Sequence, residues 1–405
     1  MSEKEQILQP LNKNFKEPKL RFPEFHDSFI FGTLGDFFNI YNGISKDKDS
    51  FGFGNPIINY MDVNQNVRIV GSIVTGLVNT NAKDILLYQV TTRDVLFTRT
   101  SETIDEIGLS SYLSENIENC VFSGFLLKAS PKSNLPLPSY IALQFRSTPY
   151  RKKIQRVATI TSRALINSDN LSKIEVFIPS KKEQAKTTEF LLLLYKKIEL
   201  LESKISILKK YKKGFVNKMI FGDIKVPLEN FLSETSERTT INNQYDIISS
   251  TVEGCFLQKE YFNHQVASQN NSGYKIVKRN QIIFSPQNLW LGNINLNEEF
   301  EIGIVSPSYK VFNILKINPK YLIELLKTNK MKYLYKICSE QGASVVRRNL
   351  NMEQLLKSKI SIHNKNMQNK IANLLFCYDK ILRNYKIKLK QLHLLKLQLL
   401  KNLFI

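Results

Sequence analysis

The residue types most often used for metal binding and nucleophilic catalysis are sparse in this sequence. Its 405 residues include four cysteines and four histidines. Cys120, Cys255, Cys338 and Cys377 are widely separated and form no C-x-x-C pair, and the histidines complete no metal-ligand spacing. The sequence therefore predicts no metal site. We interpret the cysteines as reduced, structural residues of a cytoplasmic protein.

Motifs that bind phosphates or catalytic metals are equally scarce. The sequence contains neither G-x-x-x-x-G-K-[ST] nor G-x-G-x-x-G. Phe51-Gly52-Phe53-Gly54 lacks the spacing of such loops, and we interpret it as a turn. Two E-x-K triplets, beginning at Glu17 and Glu202, match part of a nuclease metal site, but a chain so rich in lysine produces such triplets by chance. We predict that the chain by itself is not an enzyme.

The charge balance points to an anionic partner. Lys and Arg number 57 against 36 Asp and Glu, which gives a formal net charge of +21. Residues 181–218 hold 11 Lys and 4 Glu (+7), and residues 365–402 hold 8 Lys, one Arg and one Asp (+8). No apolar run approaches the roughly 20 residues that cross a bilayer, so no membrane association is expected.

The elements that would position a binding surface are duplicated along the chain. After a shift of 184 residues, 13 of 59 positions are identical and most apolar positions stay apolar. A shift of 187 pairs Leu34-Gly35-Asp36 with Phe221-Gly222-Asp223, and Leu96-Phe97-Thr98 with Ile283-Phe284-Ser285. The first-copy members of the 13 identities are Arg163, Asn167, Leu171, Lys173, Ile178, Lys181, Gln184, Lys186, Leu191, Lys196, Lys204, Leu208 and Lys212.

Each copy combines a mixed region, with strand-like runs and turn signals, and a long helix at its end. Apolar residues of each helix fall alternately three and four positions apart, which is typical of coiled-coil seams. Each helix spans about 36 residues, roughly 54 Å. The expected seam residues are Leu191, Leu194, Ile198, Leu201, Ile205, Leu208 and Lys212 in the first helix and Leu375, Tyr378, Leu382, Tyr385, Leu389, Leu392 and Lys396 in the second.

The two lysines of the seam predict its direction. Lys212 and Lys396 occupy equivalent a positions, so a parallel pair in register would bury two like charges together, which is costly. We therefore predict an antiparallel pair, which separates the lysines by roughly 21 Å and places the mixed domains at opposite ends of the rod. The alternative is that both lysines extend out of the seam and carry no information about direction.

Several short segments, in this order, resemble one protein family over essentially the whole chain. They are Pro18-Lys19-Leu20-Arg21-Phe22-Pro23, Leu34-Gly35-Asp36, Asp94-Val95-Leu96-Phe97-Thr98-Arg99 and Ile178-Pro179. With the duplication, they resemble the specificity subunits of type I restriction–modification systems. The second copy departs from the pattern, with Gln281, Pro286 and His363 at the places of Asp94, Arg99 and Pro179.

The resemblance implies an α+β fold in which a mixed α/β target recognition domain, followed by a long helix, occurs twice, and the two helices form an antiparallel coiled-coil spacer. The expected domains are a flexible lead-in (1–27), target recognition domain 1 (28–183), spacer helix 1 (184–221), target recognition domain 2 (222–366) and spacer helix 2 (367–405).

The resemblance also implies partners. Each target recognition domain would read one half of a bipartite, asymmetric sequence in double-stranded DNA. Two methyltransferase subunits would bind S-adenosylmethionine, and restriction subunits would use ATP and magnesium. The chain itself would supply specificity and hold no cofactor. The alternative from another class is a coiled-coil scaffold that binds an acidic protein.

Base readers and phosphate anchors are expected among the polar and basic residues of each mixed domain. The candidates in the first domain are Asn64, Gln65, Arg68, Lys83, Arg93 and Arg99. The candidates in the second are Asn263, His264, Gln265, Gln269, Asn270, Asn271, Lys275, Lys278 and Arg279.

Overall fold

The computed structural model describes residues 17–160, 162–252, 254–261, 270–342 and 347–405. The chain divides into two compact units. Unit 1 comprises Met1–Leu201 and Lys388–Ile405, and unit 2 comprises Glu202–Ile387. Within the described ranges, no helix is both long and apolar enough to cross a membrane.

The α-helices of the described residues alternate with strands along the whole chain. They are α1 (Leu34–Phe37), α2 (Tyr60–Gln65), α3 (Ala82–Tyr88), α4 (Pro138–Phe145), α5 (Thr148–Val157), α6 (Ser168–Ser172), α7 (Lys181–Met219), α8 (Gln258–Tyr261), α9 (Pro319–Leu326), α10 (Asn329–Ile337), α11 (Met352–Lys357) and α12 (Lys365–Asn402).

The strands of unit 1 are β1 (Ile30–Thr33), β2 (Phe38–Asn42), β3 (Phe51–Ile58), β4 (Arg68–Ile69), β5 (Gly76–Val78), β6 (Val95–Thr98), β7 (Thr100–Ser101), β8 (Ser110–Leu113), β9 (Val121–Phe122), β10 (Leu126–Pro131), β11 (Thr159–Ile160), β12 (Ala164–Leu165) and β13 (Glu175–Ile178).

The strands of unit 2 are β14 (Ile224–Pro227), β15 (Leu232–Thr235), β16 (Ile248–Thr251), β17 (Gly254–Leu257), β18 (Lys275–Lys278), β19 (Ile282–Phe284), β20 (Ile294–Leu296), β21 (Ile302–Val305), β22 (Lys310–Ile314), β23 (Ser339–Gln341), β24 (Arg348–Leu350) and β25 (Lys359–Ile362).

A five-stranded sheet forms the centre of unit 1, in the order β2-β10-β6-β8-β4. The central strand β6 is buried along its length and α4 packs on it. Phe145 of α4 lies 5.0 Å from Phe97 and 5.1 Å from Tyr150, measured between ring centroids. These aromatic rings bury a large apolar area, so they join the sheet to α4 and α5.

Unit 2 repeats this plan around the sheet β15-β22-β19-β20. Phe284 and Phe312 stack across neighbouring strands at 5.5 Å between their centroids. Tyr321 of α9 and Tyr335 of α10 are almost completely buried, and each hydroxyl donates to a backbone carbonyl oxygen. The mixed α/β architecture expected from the sequence is therefore present in each unit.

Several identities between the copies have the same structural role. Asn167 and Asn351 cap α6 and α11, and their side chains accept from backbone N–H groups at 2.7 and 3.0 Å. The strand that follows each helix ends at Ile178 or Ile362 and pairs antiparallel with β1 or β14, respectively. The duplication is thus visible in caps and strand pairing as well as in sequence.

Two of the three departures of the second copy keep the local hydrogen bonds. Asp94 accepts from the backbone N–H three residues before it at 2.8 Å, and Gln281 does the same at 2.7 Å. The carbonyl oxygens of Pro179 and His363 accept from Gln184 and Gln368, at 2.8 and 2.7 Å. Because a carbonyl oxygen is present in every residue, proline can be exchanged for histidine there.

One part of the sequence alignment was wrong. Ile30 pairs with Ile178 and Ile224 pairs with Ile362, so Ile30 and Ile224 occupy equivalent places. The copies are therefore offset by 194 residues here, and Leu228 corresponds to Leu34. Phe221-Gly222-Asp223 precedes the pairing strand, whereas Leu34-Gly35-Asp36 follows it. The similarity of the two tripeptides is fortuitous.

The long helices are antiparallel in both units. In unit 1, Lys396 of α12 lies over the ring of Tyr195 of α7, 4.9 Å from its centroid. In unit 2, Phe215 of α7 lies 6.4 Å from Tyr378 of α12. Later residues of one helix thus meet earlier residues of the other. The predicted seam residues are buried or partly buried, which confirms the antiparallel coiled coil.

The described part of the lead-in is attached to α7. Residues 1–16 lie outside the described residues. The Arg21 guanidinium donates to both carboxylate oxygens of Glu183, at 2.9 and 2.8 Å, and covers the ring of Phe29. The hydrogen bond with Glu183 raises the pKa of Arg21 against the effect of burial. This paired geometry holds the segment before β1 in place.

Candidate nucleic-acid interface

Four predicted contacts of the first domain lie at the surface. Gln65 ends α2, Arg68 opens β4, Lys83 is in the first turn of α3, and Arg93 precedes β6; all four side chains are exposed. The guanidinium of Arg93 donates to the side-chain oxygen of Asn134 at 3.2 Å. These side chains are placed where a phosphate or a base edge can reach them.

Helix α3 presents Lys83 from a well-anchored first turn. Asn81 caps the helix by accepting from the N–H of Asp84 at 2.9 Å. The ammonium of Lys46 donates to the Asp84 carboxylate at 2.6 Å and to the carbonyl oxygen of Asn79 at 2.7 Å. The hydrogen bond from Lys46 lowers the pKa of Asp84. Because Lys46 neutralises Asp84, the positive charge of Lys83 remains available to an anion.

Asn64 has a structural role instead. Its amide donates to the hydroxyl of Tyr60 at 3.2 Å, and that hydroxyl donates to Glu106 at 3.0 Å. Ser101 also donates to Glu106, at 2.7 Å, and this hydrogen bond lowers the pKa of the carboxyl group. These hydrogen bonds hold the half-buried Asn64 side chain against Tyr60 of α2, so its amide is already engaged within the domain.

Arg99 is neither fully exposed, like Arg68, nor held in a side-chain network, like Asn64. It is partly buried after β6, and its guanidinium donates to the carbonyl oxygen of Gly124 at 3.3 Å. Its Nε is fully buried and has no hydrogen-bond partner among the described residues. Arg99 thus supports the turn that carries Phe125, whose ring is 56% exposed.

The candidates of the second domain include residues outside the described ranges, exposed residues and buried residues. Asn263, His264, Gln265 and Gln269 lie outside the described residues. Asn270 is exposed, and its side-chain oxygen accepts from the N–H of Ser272 at 2.9 Å.

Asn271 and Lys275 are structural residues. Asn271 is 2% exposed; its side-chain oxygen accepts from the backbone N–H of Asn243 at 2.6 Å, and its amide donates to the side-chain oxygen of Asn243 at 2.7 Å. The ammonium of Lys275 is buried and donates to the carbonyl oxygen of Tyr309 at 2.6 Å. Burial lowers its pKa. These side chains satisfy polar groups inside the domain, and sequence polarity alone does not distinguish them from surface readers.

Lys278 and Arg279 remain as exposed cations at the end of β18. Lys278 pairs with Glu237 at 2.7 Å, and Arg279 pairs with Glu301 at 2.9 Å. Exposed ion pairs contribute little stability and open easily. Both cations can therefore exchange an acidic neighbour for a phosphate.

An exposed aromatic segment at the start of a strand was missed by sequence reasoning. Phe51-Gly52-Phe53-Gly54 opens strand β3, so the interpretation as a simple turn was wrong. Both glycines have positive φ, and the register with β5 shifts between Phe51 and Asn55, which marks a bulge. Phe51 and Phe53 are 40% and 52% exposed. The alternation of Phe and Gly was the available signal, because glycine permits the bulged backbone.

Two of the four cysteines have raised pKa values. Burial raises the pKa of Cys120 and of Cys255 to about 12. Both thiols therefore stay protonated at neutral pH, and a protonated thiol is neither a nucleophile nor a good metal ligand. All four cysteines are free thiols.

Comparison with known proteins identifies the first unit. The model of the type I restriction modification DNA specificity domain matches residues 28–210. This part of the chain belongs to that family. The resemblance to type I specificity subunits drawn from the sequence is confirmed. No curated protein matches the chain in sequence.

Solved structures extend the similarity to the whole specificity-subunit fold. The S subunit of the type I restriction-modification system from M. genitalium superimposes with a TM-score of 0.60 at 15% identity, over 96% of this chain and 99% of that one. A chain from a structural study of complex assembly and conformational transition of the type I R-M system gives 0.57 at 11% identity, over 96% and 98%. Unit 2 therefore completes the fold of a type I specificity subunit.

Proposed function

We propose that this chain is the DNA-binding specificity subunit of a type I restriction–modification enzyme and reads a bipartite, asymmetric target. The observation that carries this proposal is the repeated plan of the two units, one of which belongs to the DNA specificity domain family. A domain that enters the major groove can read only a few adjacent base pairs before the groove turns away. Two different readers in one chain therefore suit two different half-sites.

The exposed cations of each unit would hold the DNA backbone. In unit 1 these are Arg68, Lys83 and Arg93, and in unit 2 they are Lys278 and Arg279. Their long side chains suit phosphate contacts, and arginine also suits the two acceptors of guanine.

Neutral groups would add base selectivity. Gln65 and Asn270 can donate to and accept from base edges, while Phe53 can make apolar contact with thymine methyl groups. Arg99 would act through the loop that presents Phe125. Asn64, Asn271 and Lys275 have no part in this assignment because their polar atoms are bound within their own domains.

The long helices would bind two methyltransferase subunits, one for each copy of the repeat. Leu193, Leu200 and Ile207 follow each other at heptad spacing on α7, outside the seam, and are 61%, 54% and 48% exposed. Their counterparts on α12 are Cys377, Asn384 and Gln391, so this row belongs to the first copy alone. Such an apolar row on a helix is typical of protein contact surfaces. In this cytoplasmic complex, S-adenosylmethionine, ATP and magnesium would be held by the methyltransferase and restriction subunits.

Methylation mapping tests the proposal. The chain is produced with its methyltransferase subunits in a host without other adenine methylation, and modified adenines are located by single-molecule sequencing. We expect one two-part sequence motif with a fixed gap. Substituting Arg68 and Lys83 by Gln should reduce the modified fraction, whereas the same changes at the exposed Lys181 and Lys182 should not. An unmethylated genome despite a stable complex would favour the scaffold alternative.

A further inference from the structure

We propose that unit 2 contains a binding site for a phosphate-bearing anion, separate from the surface proposed to read DNA bases. A cavity of about 370 Å³ lies between α7, α12 and the junction of α9 with α10. This volume is within the range of small-molecule sites. All of its lining residues belong to unit 2.

Cations dominate the wall of the cavity. Five lysines line it, namely Lys209, Lys212, Lys213, Lys327 and Lys332, against only two acids. Both acids, Glu324 and Asp379, already bind Lys212, at 2.7 and 2.8 Å. The other four lysines form no ion pair with any described residue. An anion in the cavity would therefore meet several uncompensated positive charges.

A hydrogen bond holds one of these lysines, and a glycine leaves space for a second. The ammonium of Lys327 is held by the side-chain oxygen of Asn295 at 2.8 Å, and burial lowers its pKa. The far end of the Lys332 side chain lies beside Gly292, which has a left-handed backbone and no side chain to occupy that space. Lys209 and Lys213 are one turn apart on the exposed face of α7 and can close over a ligand. A phosphate accepts from several ammonium groups at once, which matches this arrangement.

The equivalent place in unit 1 is filled. Tyr195, the counterpart of Asp379, is partly buried, and Lys396, the counterpart of Lys212, lies over its ring. Arg146, the counterpart of Lys327, donates to the carbonyl oxygens of Ser110 and Asn66 at 2.6 and 2.9 Å. The same position thus carries a packed aromatic ring in one copy and a lysine-lined cavity in the other. Packing of the fold does not require the cavity.

Inorganic pyrophosphate is a suitable probe because it carries the phosphate chemistry without a base or sugar. Its binding to the full chain is measured by calorimetry at about 0.15 M salt, where surface charges are screened. We expect saturable binding that weakens by at least about tenfold in the double variant Lys213→Gln, Lys332→Gln. The control removes the same number of charges from the same two helices through Lys210→Gln and Lys336→Gln, and should bind as the parent does.

Competition with a short DNA duplex of unrelated sequence identifies the source of the phosphate. If the duplex displaces pyrophosphate, and the Lys213 and Lys332 variant loses duplex affinity, the site holds a backbone phosphate. If pyrophosphate stays bound, the site holds a free phosphate ester. Absence of saturable binding, or equal weakening in the control variant, overturns the proposal. Should the double variant unfold, Lys209→Gln with Lys213→Gln tests the same cavity from exposed positions.

Discussion

Removal of the Lys212 ammonium should destabilise unit 2. Lys212 occupies a seam position of the coiled coil, where a leucine would be usual. Its ammonium bridges Glu324 of α9 and Asp379 of α12 at 2.7 and 2.8 Å, and Lys320 binds the second oxygen of Asp379 at 2.8 Å. The lysine thus joins three helices, and Lys212→Met keeps its length while removing its charge.

The loss of stability depends on how well the carboxylates of Glu324 and Asp379 remain compensated without Lys212. Breaking a fully buried ion pair by removing one partner costs about 3–5 kcal/mol. The side chains of Glu324 and Asp379 are 14% and 34% exposed, and both keep Lys320, at 3.9 and 2.8 Å. Because solvent and Lys320 compensate part of the loss, we expect a decrease in the free energy of unfolding of about 2–3 kcal/mol.

Trp290 makes unit 2 separately observable. It is the only tryptophan of the chain, and it packs against the core of unit 2. Urea unfolding is followed by its fluorescence for the parent, for Lys212→Met and for the control Lys213→Met. The control side chain is exposed, so its substitution should change stability by no more than about 0.5 kcal/mol. Equal midpoints for the two variants would refute the structural role of Lys212.

The effect of the same substitution should become smaller in acid. Burial by itself would raise the pKa of Asp379, but hydrogen bonds from Lys212 and Lys320 outweigh it and lower that pKa. A lowered pKa stabilises the folded state above the unfolded value of about 3.9, and this contribution disappears as pH falls through the folded value. The difference between parent and Lys212→Met should therefore be larger at pH 7 than at pH 3.5. A difference independent of pH would show that the carboxylate charge is not involved.

Three further predictions concern the whole chain. Exchange of residues 28–150 for those of a relative should change one half of the methylated sequence; a change in both halves would indicate a shared reading surface. The purified chain alone should neither methylate nor cut plasmid DNA, and either activity would contradict its assignment as a specificity subunit. With Cys377 replaced by serine, cysteines at Leu194 and Leu399 should crosslink within minutes of oxidation, whereas cysteines at Leu194 and Tyr378 should not; the reverse would contradict the antiparallel seam.

The long helices could be predicted because their pattern has one physical cause. A seam buries one residue in every three or four, and this spacing is preserved whatever the neighbouring loops do. The direction of the pair also followed from Lys212, whose charge could not face an equivalent lysine. Its actual partners, Glu324 and Asp379, could not be deduced, since Glu324 approaches only through the tertiary placement of α9.

The DNA-contacting residues were harder to predict than the helices. A polar side chain can bind a ligand at the surface, or it can satisfy a hydrogen-bonding group inside the domain. Lys275 and Lys278 are three residues apart with the same charge, yet one satisfies a carbonyl oxygen inside the domain and the other is exposed. Strand alternation decides between them only after the register is known. The prediction for the segment around Phe53 was wrong for a related reason. A glycine-rich turn was the simpler expectation there, whereas the structure has a bulged strand that exposes an aromatic ring.

Exposed apolar residues that recur in both copies support the proposal of one partner per copy. Phe190 and Leu374 occupy equivalent places on α7 and α12, as do Tyr211 and Leu395. All four are between 42% and 65% exposed. Phe190 also meets the ring of Phe22, 5.8 Å away between centroids, but burial within the chain does not account for the exposed area of the four side chains. Contact with two copies of one partner does account for them, since it requires the same surface twice. The divergence of the two mixed domains then follows naturally, because only they would have to read different sequences.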